Sequence, residues 1–174
     1  MRDFRSAGVR VLVDGAHSVG QIPLNIEAIR STLATTALGQ ILYLYQDLPS
    51  TNREASSLAQ QGAAHGTVVA AEQQSGGYGR HGRAWFSPPG FNIYCSIVVR
   101  GKSQTVPLAQ WLSWVPLVTA LAVAEATRHI TTAPLALKWP NDLLLQDRKV
   151  GGILCESTMT TTNGPIVIIG IGLN

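Results

Sequence analysis

The residues of this chain that could do chemistry are concentrated in a glycine-rich stretch from residue 72 to residue 92. Arg80 and Arg83 supply planar cationic groups that pair with carboxylate or phosphate, and Trp85 offers a flat apolar face for stacking. Glycines let the backbone adopt positive φ and approach a ligand closely. The stretch carries no acidic residue after its first position, so nothing within it neutralises these charges. It therefore predicts a loop, unable to form a helix, that closes over an anionic and partly aromatic small molecule.

Three further segments bring polar groups together at short spacing. Residues 50–52 (Ser-Thr-Asn) either cap a helix or hold a urea or amide group at a helix start. Residues 138–142 (Lys-Trp-Pro-Asn-Asp) place a cation, an amide and a carboxylate around a proline, or form an ordinary turn. Gly151 and Gly152 fall in a predicted strand, where glycine indicates the close approach of a ligand or another backbone. Each segment taken alone also fits a purely structural role.

A dinucleotide-binding loop does not fit the glycine-rich stretch. Residues 77–82 match the pattern G-x-G-x-x-G, but that fingerprint requires a helix to start at the loop and an acidic residue about 20 positions later. The segment Phe86-Ser-Pro-Pro-Gly-Phe91 cannot form that helix, and the acidic residue is missing.

Composition places the chain among globular proteins. Its 174 residues are 45% hydrophobic and 13% charged, enough for one domain with a core. The net charge of +3 suits an anionic substrate but is too small to indicate nucleic-acid binding. Cys95 and Cys155 are far apart in the sequence and predict buried, reduced thiols. The apolar run at 111–124 is shorter than the ~20 residues of a membrane span. With no signal peptide recognised, we expect a cytoplasmic protein without a membrane segment.

Hydrophobic patterning predicts an α/β or α+β domain with a mixed sheet flanked by helices. We assign residues 1–24 to a leader of unknown role and residues 25–174 to the main domain. The predicted helices cover 26–33 (capped by Asn25), 53–61 (ended by Gly62) and 107–129, the last kinked or restarted near Pro116. The predicted strands cover 9–13, 41–46, 67–72, 92–100, 135–139, 150–156 and 166–173, with a short apolar segment at 143–145 and a turn at Asn163-Gly164.

The order and spacing of five motifs resemble those of the bacterial biotin–protein ligases. The motifs are Ser50-Thr-Asn52, Glu72-Gln-Gln74 with the glycine–arginine loop up to Trp85, Lys138-Trp-Pro-Asn-Asp142, Arg148-Lys-x-x-Gly-Ile-Leu-x-Glu156 and Ile169-Gly-x-Gly-Leu-Asn174. The resemblance implies a fold like that of class II aminoacyl-tRNA synthetases. It also implies that biotin, ATP and Mg²⁺ bind, that biotinoyl-5′-adenylate forms, and that biotin passes to a lysine of the biotin carboxyl carrier protein of acetyl-CoA carboxylase.

The resemblance also implies roles for individual residues. Those expected to contact biotin are Ser50, Thr51, Asn52, Gln74, Tyr78, Gly79, Arg80, Lys149 and Gly152. Those expected to contact ATP are Arg80, Arg83, Trp85, Lys138, Asn141, Asp142 and Asn174. Lys149 and Arg80 are expected to be catalytic, and Asp142 is the expected magnesium contact.

Tyr78 departs from the family pattern. The family loop usually reads Gly-Arg-Gly-Arg-x-Gly, and Tyr78 stands where its first arginine belongs. This substitution predicts a loop that orders less firmly over the adenylate and releases it more readily.

Two other functions remain open from the sequence. A lipoate–protein ligase or octanoyltransferase would share the fold, although the Arg-Arg-x-(Ser/Thr)-Gly-Gly-Gly stretch usual in those enzymes is not found. The other alternative is a non-catalytic, biotin-binding remnant. We expect no DNA binding, because a winged-helix domain does not fit before Asn25, and no C-terminal barrel domain. Edge-to-edge pairing of the sheet would permit a homodimer.

Overall fold

A computed structural model describes most of the chain. The described residues are 2–6, 9–14, 26–90, 92–101, 108–128, 130–131, 133–160 and 164–174. Its helices are α1 (Ile26–Thr32), α2 (Thr51–Gln60) and α3 (Leu108–Thr127), and a 3₁₀ turn covers Arg80–Gly82. Its strands are β1 (Arg2–Ser6), β2 (Val9–Asp14), β3 (Ile41–Leu48), β4 (Val68–Gln74), β5 (Ile93–Arg100), β6 (Ala136–Lys138), β7 (Asp142–Leu145), β8 (Arg148–Thr160) and β9 (Gly164–Leu173).

The strands form one mixed sheet in the order β1-β2-β3-β4-β5-β9-β8-β7-β6. The pairs β2–β3 and β3–β4 are parallel, and the other pairs are antiparallel. Strands β6 to β9 follow one another as antiparallel neighbours, so this last part of the chain forms a meander. This arrangement confirms the predicted mixed sheet flanked by helices.

Alternation of side chains along the strands divides the core between the two faces of the sheet. On one face, Ala55 and Ala59 of α2 pack in a buried cluster with Val69, Val98 and Ile168. The other face carries α1 and α3, which pack on side chains that include Leu42, Leu44, Ala70, Ile97, Val99 and Ile169. The first residues of α2 therefore lie on the face opposite to the two other helices.

Several element boundaries differ from the sequence-based prediction. Helix α2 starts at Thr51 rather than at residue 53, so the Ser-Thr-Asn segment forms its cap and first turn. Helix α3 runs through Pro116 as one helix. The apolar segment at 143–145 is part of a full strand, β7, and β1 was not predicted. The predicted cap Asn25, the helix-end residues Pro107 and His129, and Asn163 of the predicted turn lie outside the described residues.

The predicted leader contributes two described strands. Strand β2 pairs in parallel with β3 through residues 10–14, and β1 pairs with β2. The strand predicted at 9–13 is therefore confirmed, and it extends the main sheet. Among the described residues, no helix is both long and apolar enough to cross a membrane.

Candidate functional site

An open cavity of about 520 Å³ collects most of the residues that the sequence singled out. A volume of this size is typical of small-molecule sites. The predicted residues on its lining are Ser50, Thr51, Asn52, Gln74, Tyr78, Gly79, Arg80, Arg83, Trp85, Asn141, Asp142, Lys149 and Gly152.

Two of the predicted residues do not line this cavity. Lys138 lies in strand β6 at one end of the sheet, and its side chain is exposed. Asn174 follows β9, and its Nδ2 donates a hydrogen bond to the carbonyl oxygen of Phe86 at 2.9 Å. Their assignment to the nucleotide stays a prediction, and the cavity itself does not contain them.

The start of α2 builds a buried polar wall. Ser50, Thr51 and Asn52 are each at most 5% exposed. The backbone of Ser50 is extended and its side chain makes no capping bond, so the hydroxyl is not used to start the helix. Instead, Oε1 of Gln74 accepts hydrogen bonds from the Thr51 N–H at 2.8 Å and from the Thr51 hydroxyl at 3.2 Å. The hydroxyl of buried Ser96 donates to Asn52 Oδ1 at 2.6 Å.

Asn52 is held from its other end by Glu156 of β8. Asn52 Nδ2 donates to Glu156 Oε2 at 2.7 Å, so both ends of the amide have a partner and its orientation is fixed. The floor beneath it is Gly170 of β9, where any Cβ would collide with the Asn52 side chain. Glycine at 170 is therefore required for Asn52 to lie flat against the sheet.

The glycine–arginine loop is an ordered hairpin. Its backbone is closed by the Gly79 N–H donating to the Arg83 oxygen at 2.8 Å and by the Trp85 N–H donating to the Gly77 oxygen at 2.9 Å. The tip is the 3₁₀ turn at Arg80–Gly82. His81 within this turn adopts a left-handed φ of 58°, so the turn does not continue as a helix. The stretch therefore forms the loop that the sequence predicts.

Trp85 forms the back of the cavity against the sheet. A Cβ on Gly172 would meet the indole nitrogen at 2.7 Å, so only glycine lets the ring lie this close to β9. The nitrogen Nε1 is buried without a hydrogen-bond partner. The ammonium group of Lys149 lies 5.3 Å from the ring centre, within the range of a cation–π contact. The expected contact of Trp85 with ATP remains a prediction.

The opposite wall of the cavity carries its charges. Lys149 Nζ lies 2.6 Å from Asp142 Oδ1, and these side chains are 44% and 25% exposed. Both residues come from the β7–β8 hairpin, whose register shifts between Leu143 and Leu144. Arg80 reaches across the mouth and donates to Asn141 Oδ1 at 3.4 Å.

The charge balance of the lining is positive. Arg80, Arg83 and Lys149 stand against one carboxylate, Asp142, among the described lining residues. No group of three or more potential metal-ligating side chains occurs in the described part of the chain. A site with three cations and one carboxylate is suited to a polyanion that brings its own cation, rather than to a bare metal ion.

Sequence reasoning missed residues of two kinds. Gly170 and Gly172 line the cavity. The sequence did carry a signal for them, because two glycines at i and i+2 leave one face of a strand without side chains, where a ligand or another side chain can approach. Ser96, Glu156 and Arg53 support lining residues by hydrogen bonds or ring contacts. Ser96 and Arg53 carry no local signal, and Glu156, although it ends one of the five motifs, was given no role, because its partners lie far away in the sequence.

Comparison with solved structures defines the class of this domain. The biotin protein ligase from Aquifex aeolicus, solved in complex with biotin and ATP, superposes with a TM-score of 0.62 and 35% identity, over 76% of this chain and 51% of that one. The biotin protein ligase from Leishmania major, in complex with biotin, gives a TM-score of 0.60 and 29% identity over 76% and 56%. The superposed part of this chain therefore has the biotin protein ligase fold.

Sequence comparison gives the family. A model of the biotin/lipoate A/B protein ligase family matches residues 43–174, and the chain belongs to this family. It is 36% identical to the bifunctional ligase/repressor BirA of Bacillus subtilis over 87% of this chain and 45% of that protein. It is 36% identical to the biotin–[acetyl-CoA-carboxylase] ligase of Mycobacterium tuberculosis over 87% and 56%. The chain thus spans about half the length of the curated relatives it matches.

Proposed function

We propose that this chain activates biotin with ATP and transfers it to a lysine of a biotin carboxyl carrier protein. The observation that carries the proposal is the meeting of a buried, neutral polar wall and an exposed, cationic wall in one cavity. Biotin has a neutral ureido ring at one end and a carboxylate at the other, so it matches both walls. Relatives that are biotin ligases, one of them solved with biotin and ATP, support the assignment.

The polar wall suits the ureido ring. A urea group offers two N–H donors and one carbonyl acceptor, and a buried site discriminates for such a group when its own partners are preset. Ser50, Thr51 and Gln74 present hydroxyl and amide groups there, on side chains fixed by the α2 start and by Ser96. We assign the ring to this wall.

The cationic wall suits the reacting groups. In the first step a biotin carboxylate oxygen attacks the α-phosphorus of ATP, and pyrophosphate leaves. Both reactants are anions, so the barrier falls mainly through positioning and fixed positive charge. Arg80, Arg83 and Lys149 supply that charge around the cavity, and none of them has to act as a covalent nucleophile. In the second step a carrier lysine amine attacks the acyl carbon, and AMP leaves.

Asp142 fits one carboxylate contact to a magnesium ion carried by the nucleotide. Mg²⁺ is usually held by one or two carboxylates together with substrate phosphates and water, and Asp142 is the carboxylate on the described lining. Bound there, the ion would neutralise phosphate charge. The nearby pair with Lys149 keeps the carboxylate turned into the cavity.

The test uses the purified chain with biotin, α-labelled ATP and a carrier domain. Labelled adenylate followed by biotin on the carrier, detected with streptavidin, is the expected result. Adenylate formation with lipoate or octanoate in place of biotin would instead support the lipoate-ligase alternative. Biotin binding by calorimetry without adenylate would overturn catalysis and leave a binding remnant.

A further inference from the structure

Tyr78 separates two cavities. It lines the main cavity together with Asn52, and the same two residues line a second, polar cavity of about 350 Å³. The rest of that second cavity comes from α2 and strands β8 and β9, through Arg53, Ser56, Ser57, Gln60, Glu156, Ser157 and Ile168. Tyr78 therefore stands in a wall between the proposed ligand site and a second open cavity.

The wall is tied together at Glu156. Its Oε2 accepts hydrogen bonds from the Tyr78 hydroxyl at 2.8 Å and from Asn52 Nδ2 at 2.7 Å. One carboxylate oxygen on β8 thus connects the glycine–arginine loop to the first turn of α2. The guanidinium of Arg53, also on α2, lies 5.1 Å from the centre of the Tyr78 ring.

These contacts suit a tether that is present before any ligand binds. Hydrogen bonds to an ionised acceptor are shorter and stronger than neutral ones. Burial raises the pKa of the Tyr78 hydroxyl, and its bond to Glu156 raises it further, so the phenol stays protonated and keeps its role as donor. The Arg53 contact adds a cation over the ring face, where the negative end of its quadrupole lies.

We propose that Tyr78 is a positioning residue that holds the glycine–arginine loop closed through Glu156. In this chain the tyrosine, with Arg53 from α2, anchors the loop to that helix. The anchored ring also closes the wall toward the second cavity. A closed loop would also slow the release of an adenylate from the cavity. That consequence rests on the proposed ligase function, whereas loop closure itself does not.

This inference and the sequence-based expectation differ in their consequences. The expectation from sequence is that Tyr78 makes the loop looser than an arginine would. The inference is that Tyr78 supplies a tether of its own. The release rate of the adenylate from Tyr78→Arg tests the expectation, and Tyr78→Phe tests the tether.

Loop closure can be measured without catalysis. Arg80 and Arg83 are exposed at the loop tip, so trypsin can cut there once the hairpin opens. Tyr78→Phe removes the hydroxyl and keeps the ring. Cleavage at these two bonds is measured by mass spectrometry in the absence of ligand. We expect it to become about three- to tenfold faster, because one hydrogen bond that holds the loop is lost.

Tyr45→Phe is the matched control. The Tyr45 hydroxyl donates to Glu54 Oε1 at 2.8 Å, an equally short tyrosine–carboxylate bond to α2 that does not touch either cavity. Its loop cleavage should equal that of the natural chain. Glu156→Gln should also speed cleavage, and adding Tyr78→Phe to it should have little further effect, because the two side chains act through one bond.

The cleavage rate tests the tether independently of the proposed function. Equal cleavage in the natural chain and Tyr78→Phe would overturn the tether, whether or not the chain makes adenylate. If adenylate forms, Tyr78→Phe should release it about three- to tenfold faster than the natural chain does. Slower release from Tyr78→Arg than from the natural chain would support the sequence-based expectation, whereas equal release would contradict it.

Discussion

The two walls of the cavity are built in opposite ways. The polar wall, comprising Ser50–Asn52 with Gln74 and Ser96, is largely buried, and its members hydrogen-bond to one another. The cationic wall, comprising Arg80, Arg83 and Lys149 with Asp142, is largely solvent-exposed and held by one ion pair and one long hydrogen bond. One wall is fixed by the fold, and the other remains accessible to solvent.

This difference follows from what each wall is proposed to bind. A neutral ring is recognised by hydrogen bonds alone, which discriminate only when they are desolvated and preset. Charged groups act over longer distances. Burying them without a partner would cost more free energy than ligand binding recovers. Substitutions in the polar wall should therefore weaken both ligand binding and the stability of the fold. Substitutions in the cationic wall should mainly slow the reaction.

The largest expected effect is on the cationic wall. Lys149→Ala removes a cation from beside the reacting groups, and we expect adenylate formation, measured by pyrophosphate release, to slow by about 10²- to 10³-fold. Thermal unfolding should change little, because the side chain is 44% exposed. Arg148→Ala, at an exposed neighbour off the cavity lining, is the control and should keep its rate. A large loss of stability in Lys149→Ala would remove the distinction between the walls.

Gly170→Ala tests the floor of the polar wall. Its new Cβ would collide with Asn52, so the amide must leave its place between Ser96 and Glu156. We expect biotin affinity by calorimetry to fall about ten- to a hundredfold and stability to fall by about 1–3 kcal/mol.

Gly76→Ala is the control for this change. Its Cβ would come no closer than 3.4 Å to another atom, the oxygen of Pro49, and the residue does not line the cavity. Unchanged biotin affinity in Gly170→Ala would show that Asn52 does not need its observed position.

Ser96→Ala tests the hidden support of the polar wall. The buried hydroxyl donates to Asn52, so its loss should lower the free energy of unfolding by about 1 kcal/mol and raise the Kd for biotin a few-fold. The free energy is measured by urea unfolding. Ser57→Ala removes an exposed hydroxyl that accepts from Gln61 at 3.0 Å, and it should leave both quantities unchanged. A slower adenylate formation in Ser96→Ala, with stability and biotin affinity unchanged, would contradict the role of Ser96 in holding Asn52.

The smallest effect concerns the thiols of Cys95 and Cys155, which lie in the sheet on the face that α1 and α3 cover. Burial raises the pKa of Cys95 to about 11 and that of Cys155 to about 12, so at pH 8 the folded chain should be alkylated far more slowly than the unfolded chain. Above the ordinary thiol pKa of about 8.5, only the unfolded chain ionises readily, so stability should fall as the pH rises toward 11. Fast alkylation of the folded chain by iodoacetamide would show that the sheet opens.

Prediction from sequence was strongest where a local pattern exists. The strands at 41–46, 92–100 and 166–173 were found within a few residues, because β-branched and apolar runs bounded by turn residues have local causes. The extension of α2 to Thr51 was missed, because Thr and Asn favour caps over helix interiors and only the packed fold decides between the two. Lys138 shares a motif with Asp142, and yet it lies off the cavity lining.

The sequence by itself determined which chemical groups are available and in what order. The arginine loop, the Ser-Thr-Asn segment and the Lys149 hairpin are each a continuous stretch of sequence, so their order could be recognised as resembling that of the biotin–protein ligases. Only the tertiary structure decided which groups support them. Glu156 meets Tyr78 across 78 positions of sequence, and Ser96 meets Asn52 across 44. Such contacts depend on strand register and on the face that each helix covers, which no local pattern encodes.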